Sequence, residues 1–242
     1  MDIIVSLNNQ TAGRDKIARI LQYGSKATWH YLQDRPLSRR SVEQLQSLEY
    51  TFGSFRRLLR LGRFLDSLYS ALSSIHHADV IVRITLTLSK ISSALFLLAD
   101  HMLWFGRTGL IDVDSPRWSR LSYKYWLYSL TMNLLRDVYE IWRGLSRQVD
   151  KRSLRLGNPS RSYQCRIDSA CPISAVKMIF AFLSDHQDIA VDTVKNACDL
   201  LIPLTALGYT SFSPGVVGVL GVISSIAAIL ALIDPTKKLS PS

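Results

Sequence analysis

Apolar residues recur along this chain at spacings of three and four, and no run of strict apolar–polar alternation lasts long enough to argue for a sheet. The pattern predicts helices. The first covers about Gly13 to Gln33, with Ile17, Ile20, Leu21, Ala27 and Tyr31 near helical spacing. Arg35-Pro36 ends it, since the residue before a proline resists helical dihedrals. A second helix runs from a Ser41–Gln44 cap towards Leu72. A third covers Ala78 to Phe105 and stops at Gly106-Arg107-Thr108-Gly109. Asp114-Ser115-Pro116 opens a fourth, which reaches Gly144. Residues 145–171 read as a basic loop, followed by a helix over 172–203. The last apolar segment, 214–233, reads as a transmembrane helix.

That last segment carries the strongest local signal. No charged residue occurs from Leu200 to Ile233. Gly215 to Ile233 is 19 apolar or small residues, about 28 Å as a helix, close to the ~30 Å hydrocarbon thickness. Asp234-Pro235 stops it, and Lys237-Lys238 place the end of the chain in the cytosol by the positive-inside tendency. Gly218, Gly221, Ser225 and Ala228 form one small face, which reads either as a helix-packing surface that lets another backbone approach closely or as small residues simply common in membrane spans.

The second helix has the opposite character. Leu45, Leu48, Phe52, Phe55 and Leu59 make one apolar stripe, widened by Leu58. Arg56, Arg57, Arg60 and Arg63 occupy a neighbouring arc. Two readings fit: an interfacial helix whose arginines snorkel to lipid phosphates, or a packed helix with a solvated basic face. Val80 to Phe105 is a candidate first membrane segment, but Arg83, Lys90, Asp100 and His101 interrupt it. Such charges are costly in hydrocarbon and would need partners within a bundle.

Composition narrows the class. The chain has 242 residues, a formal charge of +10 and 48% hydrophobic content. Only 20% of its residues are charged, which excludes a disordered chain. Basic and apolar character together point to an anionic membrane rather than to nucleic acid. Met1 to Ser6 carries no basic stretch of a secretory signal. Cys165, Cys171 and Cys198 are then most simply free thiols, at no zinc-site spacing. No nucleophile elbow, phosphate loop, dinucleotide fingerprint or H-E-x-x-H occurs, so neither an enzyme nor a cofactor is expected. His76-His77 with Asp79 is a poor metal site, because adjacent helical histidines diverge by about 100°. Asp137 and Glu140 read as surface polar groups.

Five stretches resemble one family, the peroxin-eleven family of peroxisomal membrane proteins. They are Arg14-Asp15-Lys16-Ile17-Ala18-Arg19-Ile20-Leu21-Gln22-Tyr23-Gly24-Ser25-Lys26, the amphipathic RRLLRLGRFLDSLY of Arg56 to Tyr69, Leu103-Trp104-Phe105-Gly106-Arg107-Thr108-Gly109, Arg136-Asp137-Val138-Tyr139-Glu140, and Ser213-Pro214-Gly215-Val216-Val217-Gly218-Val219-Leu220-Gly221. The resemblance implies an all-α, membrane-associated helical bundle that elongates and helps divide peroxisomes without catalysis. Both termini would be cytosolic. It implies self-association and contact with a fission machinery, a dynamin-related GTPase and its membrane adaptors. It favours the interfacial reading, with Phe52, Phe55, Arg56, Arg57, Leu58, Leu59, Arg60 and Arg63 binding an anionic phospholipid surface. The alternative function is a pore for metabolites, with Arg83 and Lys90 along a polar path.

Overall fold

A computed structural model describes residues 7–33, 39–156, 172–237 and 239. Among these residues eight helices follow one another: α1 Thr11–Leu32, α2 Arg39–Leu59, α3 Arg63–Ser74, α4 Val80–Arg107, α5 Ser115–Leu156, α6 Pro172–Asp185, α7 Gln187–Ala206 and α8 Pro214–Ile233. A short 3-10 turn, Pro235–Lys237, follows α8. Among the described residues there is no strand, so the expected all-α class is what folds.

Local chemistry fixes several ends. Asp79 caps α4 through Oδ1, which accepts from the N–H groups of Ile81 and Val82 at 3.0 and 3.4 Å. Its Oδ2 accepts from Tyr139 Oη at 2.8 Å and Arg143 Nη1 at 3.0 Å, tying the start of α4 to α5. Ser213 caps α8 by accepting from Val216 N–H, with Pro214 in the first turn.

Three expected boundaries change. The helix expected to run unbroken to Leu72 divides at Gly62, whose φ of +81° lies in the left-handed region and closes α2 before α3 begins. Gly144 does not end α5, which continues to Leu156 through part of the expected basic loop. A Cβ at Gly144 would run into the Phe182 ring, so this glycine admits a close neighbour rather than stopping a helix. The helix expected over 172–203 divides at His186, whose ring stacks on Phe182 with centroids 4.1 Å apart. The remainder of the expected loop, 157–171, lies outside the described residues.

The packing closes on itself. α1 lies between α2 and α8; α2 and α3 pack on α4, α4 on α5, α5 on α7, and α7 on α8. α1 runs antiparallel to α8, since Gly215 faces His30, Gly218 faces Ala27 and Gly221 faces Tyr23. Thr11 and Ile233 therefore lie at the same end of the bundle. The apolar core inside this circuit is small, centred on Tyr23, Ile202 and Val217 with Trp126 and Val222 against them. Much of the interior is polar: Asp15, Arg19, Arg56, Asp137, Asn196 and Asp199 are all buried.

Candidate membrane surface and buried basic site

Apolar residues line the outside of this polar interior. On α8, Val216, Val219, Ile223, Ile226, Leu230 and Ile233 recur at steps of three and four, and each is exposed. On α4 the exposed stripe is Val80, Ile84, Leu88, Ile91, Leu95 and Leu98. Among the described residues these are the two helices long and apolar enough to cross a membrane. A water-soluble bundle has the reverse arrangement, with such stripes turned inward. Of the residues that interrupt α4, Lys90, Asp100 and His101 are satisfied inside the protein, whereas the half-buried Arg83 has no ion pair among the described residues. Lys90 Nζ donates to Ser70 O at 3.0 Å and Ser74 Oγ at 2.7 Å. Asp100 pairs with Arg57 Nε at 2.9 Å and Arg60 Nη2 at 2.7 Å. His101 Nε2 lies 2.9 Å from Arg60 O.

The same contacts define an α3–α4 hairpin. Phe64 rests against the His101 ring, and Ser67 donates to Lys90 O, so the two helices run antiparallel. The outer edge of α3 exposes Leu65, Leu68, Tyr69 and Leu72, with Tyr69 at 78% the most open of them. Leu61 and Leu58 continue that edge onto the end of α2.

The residues expected to meet a lipid surface separate into two groups. Phe55 and Leu58 are exposed, and Phe52 and Leu59 are half-buried. Arg56, Arg57 and Arg60 face the other way. Arg56 Nε donates to Asp15 Oδ1 at 3.1 Å and its Nη1 to Gln22 at 2.7 Å. Arg57 and Arg60 meet Asp100. This corrects their expected contact with lipid phosphates, because buried guanidinium groups take the buried carboxylates of α1 and α4. Arg63, at the start of α3, is half-buried and has no such partner among the described residues.

The small face of α8 is packed against α1 of the same chain. A Cβ at Gly218 would lie 2.6 Å from Ala27 N. Gly218, Gly221, Ser225 and Ala228 are all buried. Self-association through this face would require α1 to move away.

Two polar features escaped the sequence reading. Asp137 is fully buried, not at the surface: Arg136 Nη2 donates to its Oδ1 at 2.7 Å and Asn196 Nδ2 to its Oδ2 at 2.8 Å. Arg136 also reaches Asp192, which joins α5 to α7. The second feature is a cavity of about 580 Å³ inside the circuit. Arg19 lies in it, paired with Asp199 and within 6 Å of the Tyr23 and Trp126 rings. Burial raises the Asp15 carboxyl, but Arg56 and Arg60 outweigh that and hold it at about 2. Burial lowers Lys16 to about 7, with Arg19 adding to the effect. Neither Arg83 nor Lys90 borders this cavity. Among the described residues no cluster of metal-ligating side chains occurs, and Cys198 is a free thiol.

Residues 1–233 match the family described as peroxisomal biogenesis factor 11 (PEX11). Human peroxisomal membrane protein 11B is 36% identical over 259 residues, covering 100% of both chains. Bovine peroxisomal membrane protein 11A is 32% identical over 244 residues, covering 99% of each. A peroxisomal membrane protein 11 homolog from Dictyostelium discoideum is 27% identical over 226 residues, covering 90% of this chain and 88% of that one. No solved structure matches. A bundle with apolar stripes outside and buried carboxylates paired to arginines within, matched from residue 1 to 233 by this one family, belongs to the peroxisomal biogenesis factor 11 family of peroxisomal membrane proteins.

Proposed function

We propose that this chain is an integral peroxisomal membrane protein that elongates the membrane and promotes peroxisome division, without catalysis. The observation that carries the proposal is the outward apolar stripes of α3, α4 and α8 around a polar interior. α4 and α8 cross the bilayer, and both termini lie in the cytosol. The antiparallel packing of α1 on α8 supports that topology, since it puts both ends of the bundle's chain on one side.

Curvature comes from the α3–α4 hairpin. α3 has 12 residues, about 18 Å, roughly half of a ~30 Å hydrocarbon layer. Its apolar edge therefore adds cross-section to one leaflet only, which favours positive curvature if that leaflet is the cytosolic one. Leu65, Leu68, Tyr69 and Leu72 each gain about 1–2 kcal/mol on entering lipid, from the ~1.5–3 kcal/mol of a full side-chain transfer scaled by their exposure. The amphipathic insertion expected from the sequence is kept, with α3's leucines as the inserted edge. Arg56 ties the end of α2 to α1, and Arg57 and Arg60 tie it to α4, instead of gripping headgroups. An anionic phospholipid membrane, further copies of this chain, and a dynamin-related GTPase with its adaptors complete the assembly.

The test is overproduction of a Leu65→Asp, Leu72→Asp variant in cells. It should remain on peroxisomes and resist alkaline carbonate extraction, because α4 and α8 are untouched, yet fail to elongate them. Elongation equal to that of the parent would exclude the α3 edge as the source of curvature.

A further inference from the structure

We infer that the open-mouthed cavity lined mainly by α1, α2, α4 and α5 is a binding site for a phosphate-bearing anion. Its volume of about 580 Å³ is within the usual range for small-molecule sites. Seven basic side chains line it against four carboxylates, an excess of three positive charges when Lys16 is protonated. The carboxylates are already engaged. Asp15, Asp100 and Asp199 hold Arg56, Arg57, Arg60 and Arg19, and Glu49 accepts from Lys26 at 3.0 Å and Trp29 at 2.7 Å. Among the described residues Lys16, Arg63 and Arg107 have no carboxylate at ion-pair distance. The buried Nε of Arg19, 4% exposed as a residue, donates to nothing.

Lys16 and Arg63 are half-buried and Arg107 is exposed at the mouth. An entering anion therefore meets three basic groups not committed to a carboxylate, and a cationic excess partly withdrawn from water favours a bound counter-charge. Phosphate suits it best, with a charge of about −1.5 to −2 and three strong acceptor oxygens that guanidinium forks match. The cavity is larger than phosphate alone needs. Tyr50, with Arg107 4.3 Å over its ring, and Tyr123, Phe96 and Trp126 offer apolar faces to the rest of such a molecule. Tyr50 and Arg107 are exposed and form its rim. They lie level with Lys26 and Trp29 of α1, away from the end that holds Thr11 and Ile233. Two sources present this chemistry: a phospholipid headgroup entering from the rim, or a soluble phosphorylated compound.

The full chain in phosphatidylcholine nanodiscs separates them. One arm titrates pyrophosphate and ATP at constant ionic strength; the other adds phosphatidic acid or phosphatidylinositol 4-phosphate to the nanodisc. Thermal stabilisation is read in both. A rise in the first arm identifies a soluble ligand, and a rise confined to the second identifies a headgroup. Lys16→Gln and Arg107→Gln should each weaken the response about tenfold, as expected for loss of one charge-assisted contact. Arg107 is exposed and in no ion pair among the described residues, so its variant keeps the parent's fold and reads binding alone. Lys237→Gln, far from the cavity, should bind like the parent. No stabilisation by any probe, or equal weakening by Lys237→Gln, would overturn the inference.

Discussion

Replacing Gly218 with alanine tests whether α1 and α8 pack as described. The new Cβ would lie 2.6 Å from Ala27 N and 2.9 Å from both Ala27 Cα and Cβ. Ordinary contacts begin near 3.4 Å, so the two helices must separate by close to 1 Å. A gap of 0.5–1 Å forfeits about a quarter to a half of each dispersion contact along the seam. Overpacking of this kind costs about 1–3 kcal/mol. For a chain of this length that lowers Tm by roughly 2–4 °C per kcal/mol. Gly24 on α1 supplies the control, since a Cβ there meets nothing within 4 Å. Gly24→Ala should stabilise by up to about 1 kcal/mol through helix propensity alone. Adding Ala27→Gly should rescue Gly218→Ala only in part, because the backbone N and Cα of residue 27 remain in the way. Circular dichroism melting of the purified protein in detergent reads all three. Gly218→Ala melting with or above the parent, as Gly24→Ala does, would refute the α1–α8 packing.

Two further outcomes follow from buried charge. Asp100→Asn strands Arg57 and Arg60 against α4 and should destabilise the protein by about 3–5 kcal/mol, seen as a lower Tm; parental stability would mean these pairs do not form. Lys16→Met should stabilise the ligand-free protein, most strongly below pH 7. The Lys16 pKa is lowered to about 7 from an ordinary 10.5, so its charged form opposes folding. That penalty is complete below pH 7 and fades as pH rises towards 10.5. Asp15, Arg19, Arg56 and Asp199 face the same ammonium. A stabilisation that grows with pH would contradict the burial of Lys16.

How far the sequence reveals this arrangement depends on the range of the interactions concerned. α8 is readable because its charge-free run is local and continuous. The break at Gly62 is not, since a lone glycine is compatible with a helical pattern and only its φ of +81° marks the turn. Gly144 misleads in the opposite sense: its role is to admit Phe182, 38 positions away in sequence. The arginine arc of α2 is visible on a helical wheel, but a wheel does not say whether an arc faces water, lipid or protein. Its partners Asp15 and Asp100 lie 41 and 43 residues from Arg56 and Arg57, beyond any local pattern. The small stripe of α8 likewise announces close packing without naming α1 as the neighbour.

Collision of spin labels with lipid-soluble and water-soluble quenchers tests the central claim, that apolar stripes of this bundle face hydrocarbon. With the three cysteines replaced by serine, single nitroxides are placed at Leu68 on α3, Leu88 and Leu95 on α4, and Val219, Ile223 and Ile226 on α8. Control labels sit at the buried Ser89 and Ser225. In reconstituted liposomes the stripe labels should collide far more with oxygen than with a nickel chelate, and the buried labels should collide little with either. Leu95 and Ile223 freely open to the nickel chelate would mean that these faces meet water, and the inside-out bundle would be wrong.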